Sequence, residues 1–325
     1  MSLAAFVSVG KSLAEAVSRV QLAESLGYEA AFSTHTTGRD GLMTLAAYAA
    51  ATKRIRLGTG VVPALPRHPL SLAIEAATLD EISGGRLILG VGPSHKVTME
   101  GWYDIPMDKP YSQMREYVTI LRQMFTTDGA SFEGDFYKVQ FGFVGYGARK
   151  DLPIYLSALA PKMLTFAGEA CDGVILWSCL PSYIASTVTP TVRAAAEKAG
   201  RPMPTIVAAV PCAVTTNTAA AFEALRADFF VYMTLPFYRR AIAGAGYQAE
   251  LDAFDKAQEA GDFPAALAAM SDAMLTEFAA IGDAAAIRDK IDEYRAAGVT
   301  LPAVGLFRGG DGYAGAEETL KAAAG

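Results

Sequence analysis

Cysteine, histidine and charge are all scarce in this chain. Its 325 residues hold three cysteines and three histidines, and only 19% are Asp, Glu, Lys or Arg. Cys171, Cys179 and Cys212 are too few and too scattered for a disulfide framework, and no CxxC pair offers a structural zinc site. A reducing, cytoplasmic setting is therefore expected. His35, His68 and His95 cannot supply a His-rich metal centre, and no metal is expected. Every apolar run of 18 residues is interrupted by charge, Gly or Pro, so no transmembrane helix is expected. The N-terminus lacks the basic start and apolar core of a signal peptide. There is no basic surplus either: 28 Lys and Arg face 34 Asp and Glu, a net charge of −6. Nucleic acid and anionic membranes are thus excluded as general partners, because binding them requires neutralising phosphates.

What is present is apolar: 52% of residues are hydrophobic, far too many for a disordered chain. Short apolar runs alternate with longer amphipathic ones. Strands are predicted at Ala4–Val9, Glu29–Ser33, Ile55–Val61, Arg86–Val91, Pro153–Leu159, Gly173–Trp177, Thr205–Val214 and Leu301–Phe307. Between them lie predicted helices: Ser12–Leu26, stopped by Gly27; one from an Asp40 cap to Ala51; Leu70–Ile82; Tyr111–Phe125; Pro161–Ala170; Ile184–Ala199; and Tyr313–Ala324. Strands this continuously apolar are expected where both sheet faces are buried. Eight such units predict an α/β fold, a TIM (β/α)8 barrel with insertions. A doubly wound sheet is the competitor, but Val9-Gly10-Lys11-Ser12 lacks its GxGxxG loop. The expected organisation is one domain over 1–325. It carries an inserted hairpin at about 128–150 and a helical insertion at about 218–282, with breaks near Gly244–Gly246, Gly261–Pro264 and Gly282.

In such a barrel the chemistry sits at the C-terminal strand ends. Those ends carry Thr34-His35, Gly92-Pro93-Ser94-His95, Ser157-Ala158-Leu159, Trp177-Ser178 and Arg308-Gly309-Gly310. His35 and His95 are the candidate catalytic residues, the alternative being ordinary capping or loop histidines. His68, in Arg67-His68-Pro69, binds an anion or caps a turn. After Leu159 a helix opens on Pro161-Lys162, whose free N–H groups with Lys162 make an anion site, or simply a well-formed turn. Gly58-Thr59-Gly60 inside an apolar strand marks a bulge against which a planar cofactor could lean, or a tight barrel corner. Trp102, Tyr103, Tyr111, Phe141, Phe143, Tyr146 and Trp177 line a substrate pocket or pack the core and hairpin. The small-residue helices Leu42–Ala51 and Leu70–Leu79 suit a homodimer interface or close packing on the barrel.

The ordered set Leu57-Gly58-Thr59-Gly60-Val61, Arg67-His68-Pro69, Thr78-Leu79-Asp80-Glu81-Ile82-Ser83-Gly84-Gly85-Arg86 and Leu89-Gly90-Val91-Gly92 resembles the bacterial luciferase-like monooxygenase family. Ala160-Pro161-Lys162-Met163 and Gly168-Glu169-Ala170-Cys171-Asp172-Gly173 look like its coenzyme F420-dependent branch, similar to methylenetetrahydromethanopterin reductase. The resemblance covers roughly 25–200. It implies hydride transfer between the deazaflavin and a small-molecule substrate. The alternatives are an FMN-dependent monooxygenase and a non-catalytic flavin-binding relative. It implies a non-proline cis peptide at Gly60-Val61, bracing the cofactor's middle ring. The implied cofactor site is Thr34, Gly58, Thr59, Gly60, Val61, Gly92, Pro93, Ser157, Ala158, Leu159, Lys162, Trp177 and Ser178, with Lys96 and Arg67 as contacts for the cofactor's acidic tail. His35 would supply a proton or touch substrate. Thr34 and His95 stand where relatives carry acidic residues, and Arg39 stands near a family tryptophan. The departures at His95 and Arg39 argue against sugar-phosphate oxidation, and Thr34 removes any role that needs a carboxylate there.

Overall fold

The computed structural model describes residues 2–7, 11–35, 38–143, 146–307 and 315–325. The strands are β1 (Ala4–Phe6), β2 (Ala30–Ser33), β3 (Arg56–Thr59), β4 (Val62–Pro63), β5 (Leu87–Gly92), β6 (Gly129–Glu133), β7 (Lys138–Gly142), β8 (Ile154–Ser157), β9 (Gly173–Trp177), β10 (Thr205–Val214), β11 (Ala280–Gly282) and β12 (Leu301–Leu306). Parallel pairing runs β1-β2-β3-β5-β8-β9-β10-β12 and closes from β12 back to β1, where Phe6 lies opposite Gly305. This is the eight-stranded barrel expected from the sequence. The third predicted strand is split: β3 ends at Thr59, the Gly60-Val61 peptide is cis, and β4 resumes the pairing with β5.

The period-2 alternation of each strand sorts its side chains between two cores. Ala4, Phe6, Ala30, Phe32, Ile88, Tyr155, Ile175, Val207, Ala209, Leu301 and Ala303 fill the barrel interior. Their neighbours Ala5, Ala31, Leu87, Leu89, Leu156, Val174 and Ala208 pack outward under the helices. Glycine makes the interior fit. A Cβ on Gly58 would stand 2.3 Å from the Phe32 ring, and one on Gly173 would stand 2.6 Å from Tyr155.

The helices are α1 (Leu13–Ser25), α2 (Gly41–Ala51), α3 (Pro69–Ser83), α4 (Lys96–Tyr103), α5 (Pro110–Thr127), α6 (Pro161–Ala170), α7 (Pro181–Tyr183) and α8 (Thr189–Lys198), the last two joined by a π-helical turn at Ile184–Val188. Their caps are legible in the sequence: Ser12 accepts from Glu15 N and Asp40 from Met43 N. Helix α4 is a missed element. The predicted hairpin forms as β6 and β7, and the Glu116 carboxylate accepts the backbone N–H groups of Asp135, Phe136 and Tyr137 at its turn.

Between β10 and β12 lie α9 (Thr218–Phe229), a 3-10 turn (Phe230–Thr234), α10 (Pro236–Gly244), α11 (Gln248–Glu259), α12 (Phe263–Ala268), α13 (Asp272–Thr276), β11 and α14 (Ala284–Ala296). Residues Leu225 to Ala279 have a core of their own around Phe229, Tyr238, Phe254 and Phe278. The chain ends in α15 (Ala316–Ala324). The expectations at Val9-Gly10, Arg308-Gly309-Gly310 and Tyr313 lie outside the described residues.

The Ser83-Gly84-Gly85-Arg86 block works at the N-terminal face, away from the strand ends that carry chemistry. Gly84 and Gly85 take left-handed backbone after α3, with φ of 71° and 79°. Arg86 then donates to the carbonyls of Ala49, Thr52 and Ile55 and so closes the end of α2. Asp80 accepts from Leu87 N and pairs with Arg149.

Candidate active site

At the C-terminal mouth of the barrel a cavity of about 950 Å³ opens. Strand alternation points interior residues near the C-terminal ends of several strands into it: Ser157 of β8, Trp177 of β9, Pro211 of β10 and Gly305 of β12. Of the sequence-derived candidates, His35, His95, Thr34, Gly60, Val61, Pro93, Ser157, Ala158, Leu159, Trp177 and Ser178 all line it.

Four candidates do not line it, and strand geometry explains three. Gly58 lies one interior layer deeper, where its missing side chain admits Phe32. The Thr59 hydroxyl is fully buried; it donates to Gly90 O at 2.7 Å and accepts from Gly90 N at 2.8 Å, tying β3 to β5. Gly92 packs on Ser157, whose Oγ would lie 2.1 Å from a Cβ there. Lys162 is exposed, since the second residue of α6 faces outward. The helix N-terminus itself remains in the wall through Ala158, Leu159 and Ala160. Ala160 caps α6 without any side-chain bond, so its first N–H groups are open to an anion. Tyr183 donates to Leu159 O at 2.9 Å and steadies this turn.

The expected tail contacts divide. Lys96 lines the cavity and pairs with Glu100 at 3.5 Å. Arg67 is outside the lining, held by Asp40 at 2.6 Å and Glu75 at 3.4 Å. His68 caps α3 by accepting from Leu70 N, the bland alternative of its two readings. Among the expected pocket aromatics, only Tyr103 and Trp177 reach the cavity. Tyr111, Phe141, Phe143 and Tyr146 pack against the main core, and Trp102 is exposed.

Both candidate histidines are held below their ordinary pKa. For His95 the cause is burial. For His35 it is burial first and then the Arg67 charge, against the opposing pull of Asp40. His35 Nδ1 accepts the Gly41 N–H at 2.9 Å, and Nε2 stands 3.4 Å from Arg67. Ser94 and Ser178, at the same mouth, hold left-handed backbone with φ of 66° and 43°, strain of the kind that collects at functional sites.

Sequence reasoning missed the outer wall. Phe229, Tyr232, Phe237 and Tyr238 of the helical insertion all face the cavity. Tyr232 packs its ring edge-on to His95, and burial pushes its hydroxyl up to about 12 despite the neighbouring Trp177 indole. That indole N–H is buried and lies toward the Tyr232 hydroxyl without a formed hydrogen bond. Tyr238 donates to Trp177 O at 3.2 Å. The density of aromatics over Phe229-Phe230, Tyr232 and Phe237-Tyr238 was the available signal.

Comparison with known proteins places this architecture. The chain is 30% identical over 313 residues, 88% of each chain, to a Mycobacterium tuberculosis protein provisionally named a coenzyme F420-dependent oxidoreductase. It is 32% identical over 318 residues to the 5,10-methylenetetrahydromethanopterin reductase of Methanopyrus kandleri, covering 90% of this chain and 88% of that one. The solved structure of coenzyme F420 dependent tetrahydromethanopterin reductase from Methanopyrus kandleri shares the fold, with a TM-score of 0.83, 24% identity, and coverage of 100% of this chain and 98% of that one. The luciferase-like monooxygenase pattern matches residues 2–301, and this chain belongs to that family.

Proposed function

We propose that this chain is a coenzyme F420-dependent oxidoreductase, a single catalytic domain acting on a small organic substrate in the cytoplasm. The observation that carries the reading is one cavity in which the free N-terminus of α6 and two histidines held below their ordinary pKa meet a largely apolar floor and wall. The residues present suit the cofactor. Small side chains at Ala158 and Ala160 leave the α6 N–H groups accessible to a phosphate. A volume of about 950 Å³ falls in the range of small-molecule sites. When bound, the deazaflavin supplies hydride chemistry at its ring carbon. The protein supplies binding, orientation and exclusion of water. Ser157, Ala158 and Leu159 would hold the phosphate; Thr34, Gly60, Val61, Pro93, Trp177 and Ser178 would frame the ring. The aromatic wall from α9 to α10 would close the substrate side. The names of the two relatives point the same way.

An FMN-dependent monooxygenase is the second reading. The same α6 cradle suits its phosphate, and the aromatic wall would shield oxygen chemistry from water. A non-catalytic relative is disfavoured by the open anion cradle. Fluorescence titration of the purified protein with F420 and with FMN, each oxidised and reduced, separates the two enzyme readings. Tighter binding of F420 is expected; preference for reduced FMN would move the assignment to oxygen insertion, and binding of neither would sink both enzyme readings.

The reading extends to a homodimer. Met43 of α2 and Ile74 of α3 are 72% and 41% exposed, on the helices expected to meet a second copy. Sedimentation velocity should find a dimer that Met43→Lys weakens at least tenfold. A wild-type monomer at micromolar concentration would end this proposal.

A further inference from the structure

His35 sits at the end of β2, half-buried, against the N-terminus of α2. A neutral imidazole has one nitrogen that donates and one that accepts. Gly41, the first residue of α2, donates its N–H to Nδ1 at 2.9 Å. That nitrogen is therefore the acceptor, and the ring proton belongs on Nε2. Arg67 Nη1 stands 3.4 Å from Nε2, a longer and weaker contact than the Gly41 bond at 2.9 Å, so the Gly41 bond decides the tautomer. A guanidinium has donors only and cannot receive the Nε2 proton.

Arg67 is fixed where it stands. Its Nη2 donates to Asp40 Oδ2 at 2.6 Å, and its Nε lies 3.4 Å from Glu75 of α3. Asp40 also caps α2 through Met43 N, and its Oδ2 lies 3.4 Å from His35 Nδ1. Arg67, from the β4–α3 connection, and Asp40, from the α2 cap, are the charged groups described as acting on the ring; Glu75 acts through Arg67. Arg39, Lys96 and Asp228 line the same cavity; Lys96 is paired with Glu100, and Arg39 and Asp228 have protein partners.

We infer that Asp40 and Arg67 are positioning residues which, with the Gly41 N–H, hold His35 as the neutral Nε2–H tautomer, so that it offers the cavity a hydrogen bond rather than an imidazolium proton. A second proton on Nδ1 would displace the helix N–H and gain only an Asp40 already neutralised by Arg67. The positive end of α2 opposes it as well. Of the two roles expected for His35 from the sequence, supplying a proton or touching substrate, this state favours the second. Loss of the Nε2 proton would leave an imidazolate, so His35 orients and polarises an acceptor atom of the ligand. Any proton that the reaction consumes comes from elsewhere. The protonation assignment stands without a cofactor; its use in hydride transfer rests on the function proposed above.

The test is two-bond 1H–15N NMR of the protein without cofactor, labelled at its three histidines, with His35→Gln to assign the signal. At pH 7 the His35 pattern should be that of the Nε2–H tautomer, with a titration midpoint below the ordinary value of about 6.5. Arg67→Met frees Asp40 to act on the ring alone, and the midpoint should rise by about one unit. Arg67→Lys should restore most of the lower value, and Asp40→Asn should lower it further. An Nδ1–H pattern or a charged ring at pH 7 in the wild type overturns the inference, whether or not the variants fold. So does a folded Arg67→Met protein whose midpoint has not moved. Failure of F420 to bind leaves this readout intact, so the two proposals fail separately.

Discussion

Ala158→Asp is expected to weaken cofactor binding at least about 100-fold while leaving the barrel folded. Ala158 follows β8, is 3% exposed, and faces the cavity beside the open N-terminus of α6. That turn attracts an anion through unsatisfied N–H groups and the positive end of the helix dipole. A carboxylate at this position occupies the attraction itself. It also sets like charge against the incoming phosphate, which costs several kcal/mol in a partly desolvated site. Since each 1.4 kcal/mol is tenfold in affinity, a loss of about 3 kcal/mol is a modest expectation. The same charge favours the start of α6, so the thermal midpoint should change far less than the affinity. Titration of wild type, Ala158→Ser and Ala158→Asp in parallel checks this, with serine expected near wild type. Unchanged binding by a folded Ala158→Asp protein would place the phosphate elsewhere and remove the main support for the cofactor site. The result does not depend on whether the ring is F420 or FMN, because the phosphate is common to both.

Gly90→Ala should destabilise the barrel severely, although it adds only one methyl group. Gly90 lies in the middle of β5, its missing side chain directed at β3. A Cβ there would stand 1.9 Å from Thr59 O and 2.8 Å from Ile175 Cδ1. The Ile175 methyl can move, but the Thr59 carbonyl belongs to the backbone of the adjoining strand. The Thr59 hydroxyl also bonds Gly90 on both its N–H and its carbonyl, so moving β3 away breaks that clasp. Overpacking of side chains costs about 1–3 kcal/mol. A clash with strand backbone exceeds that, and a loss of at least about 4 kcal/mol, or failure to fold, is expected. Urea unfolding measures it. Gly101→Ala in α4 is the control: nothing lies within 4 Å of its added Cβ, and replacing a helical glycine should stabilise by about 0.5–1 kcal/mol. Equal tolerance at the two positions would contradict the close approach of β3 and β5.

The glycines of β3 and β5 also show what a sequence can carry. Gly90 read as part of a family block, and Gly58 and Gly92 as cofactor contacts, but a glycine does not state what approaches it. At Gly58 the approaching group is Phe32, at Gly90 a strand carbonyl, and at Gly92 the Ser157 hydroxyl. Lys162 shows the same limit for charge. Its place beside Pro161 suggested an anion ligand, whereas the rotation of α6 turns it to solvent and leaves the backbone in the wall.

The barrel is legible in the chain alone. Strand identity rests on local period and on turn residues such as Gly27 and Ser83-Gly84-Gly85. Those signals need no partner, so Gly173–Trp177 and Thr205–Val214 are found with the bounds expected. Also legible is which strand ends meet at the mouth, because the order of a closed parallel barrel follows the order of the chain. The rest depends on packing in three dimensions. The insertion between β10 and β12 had helical character but no stated direction, and packing of its own core is what turns Phe229, Tyr232, Phe237 and Tyr238 onto the cavity. The state of His35 likewise depends on Gly41, Asp40 and Arg67, up to 32 residues away in sequence. Hydrogen-bond direction and charge neighbourhood are properties of distances in space, and those distances exist only once the barrel has closed.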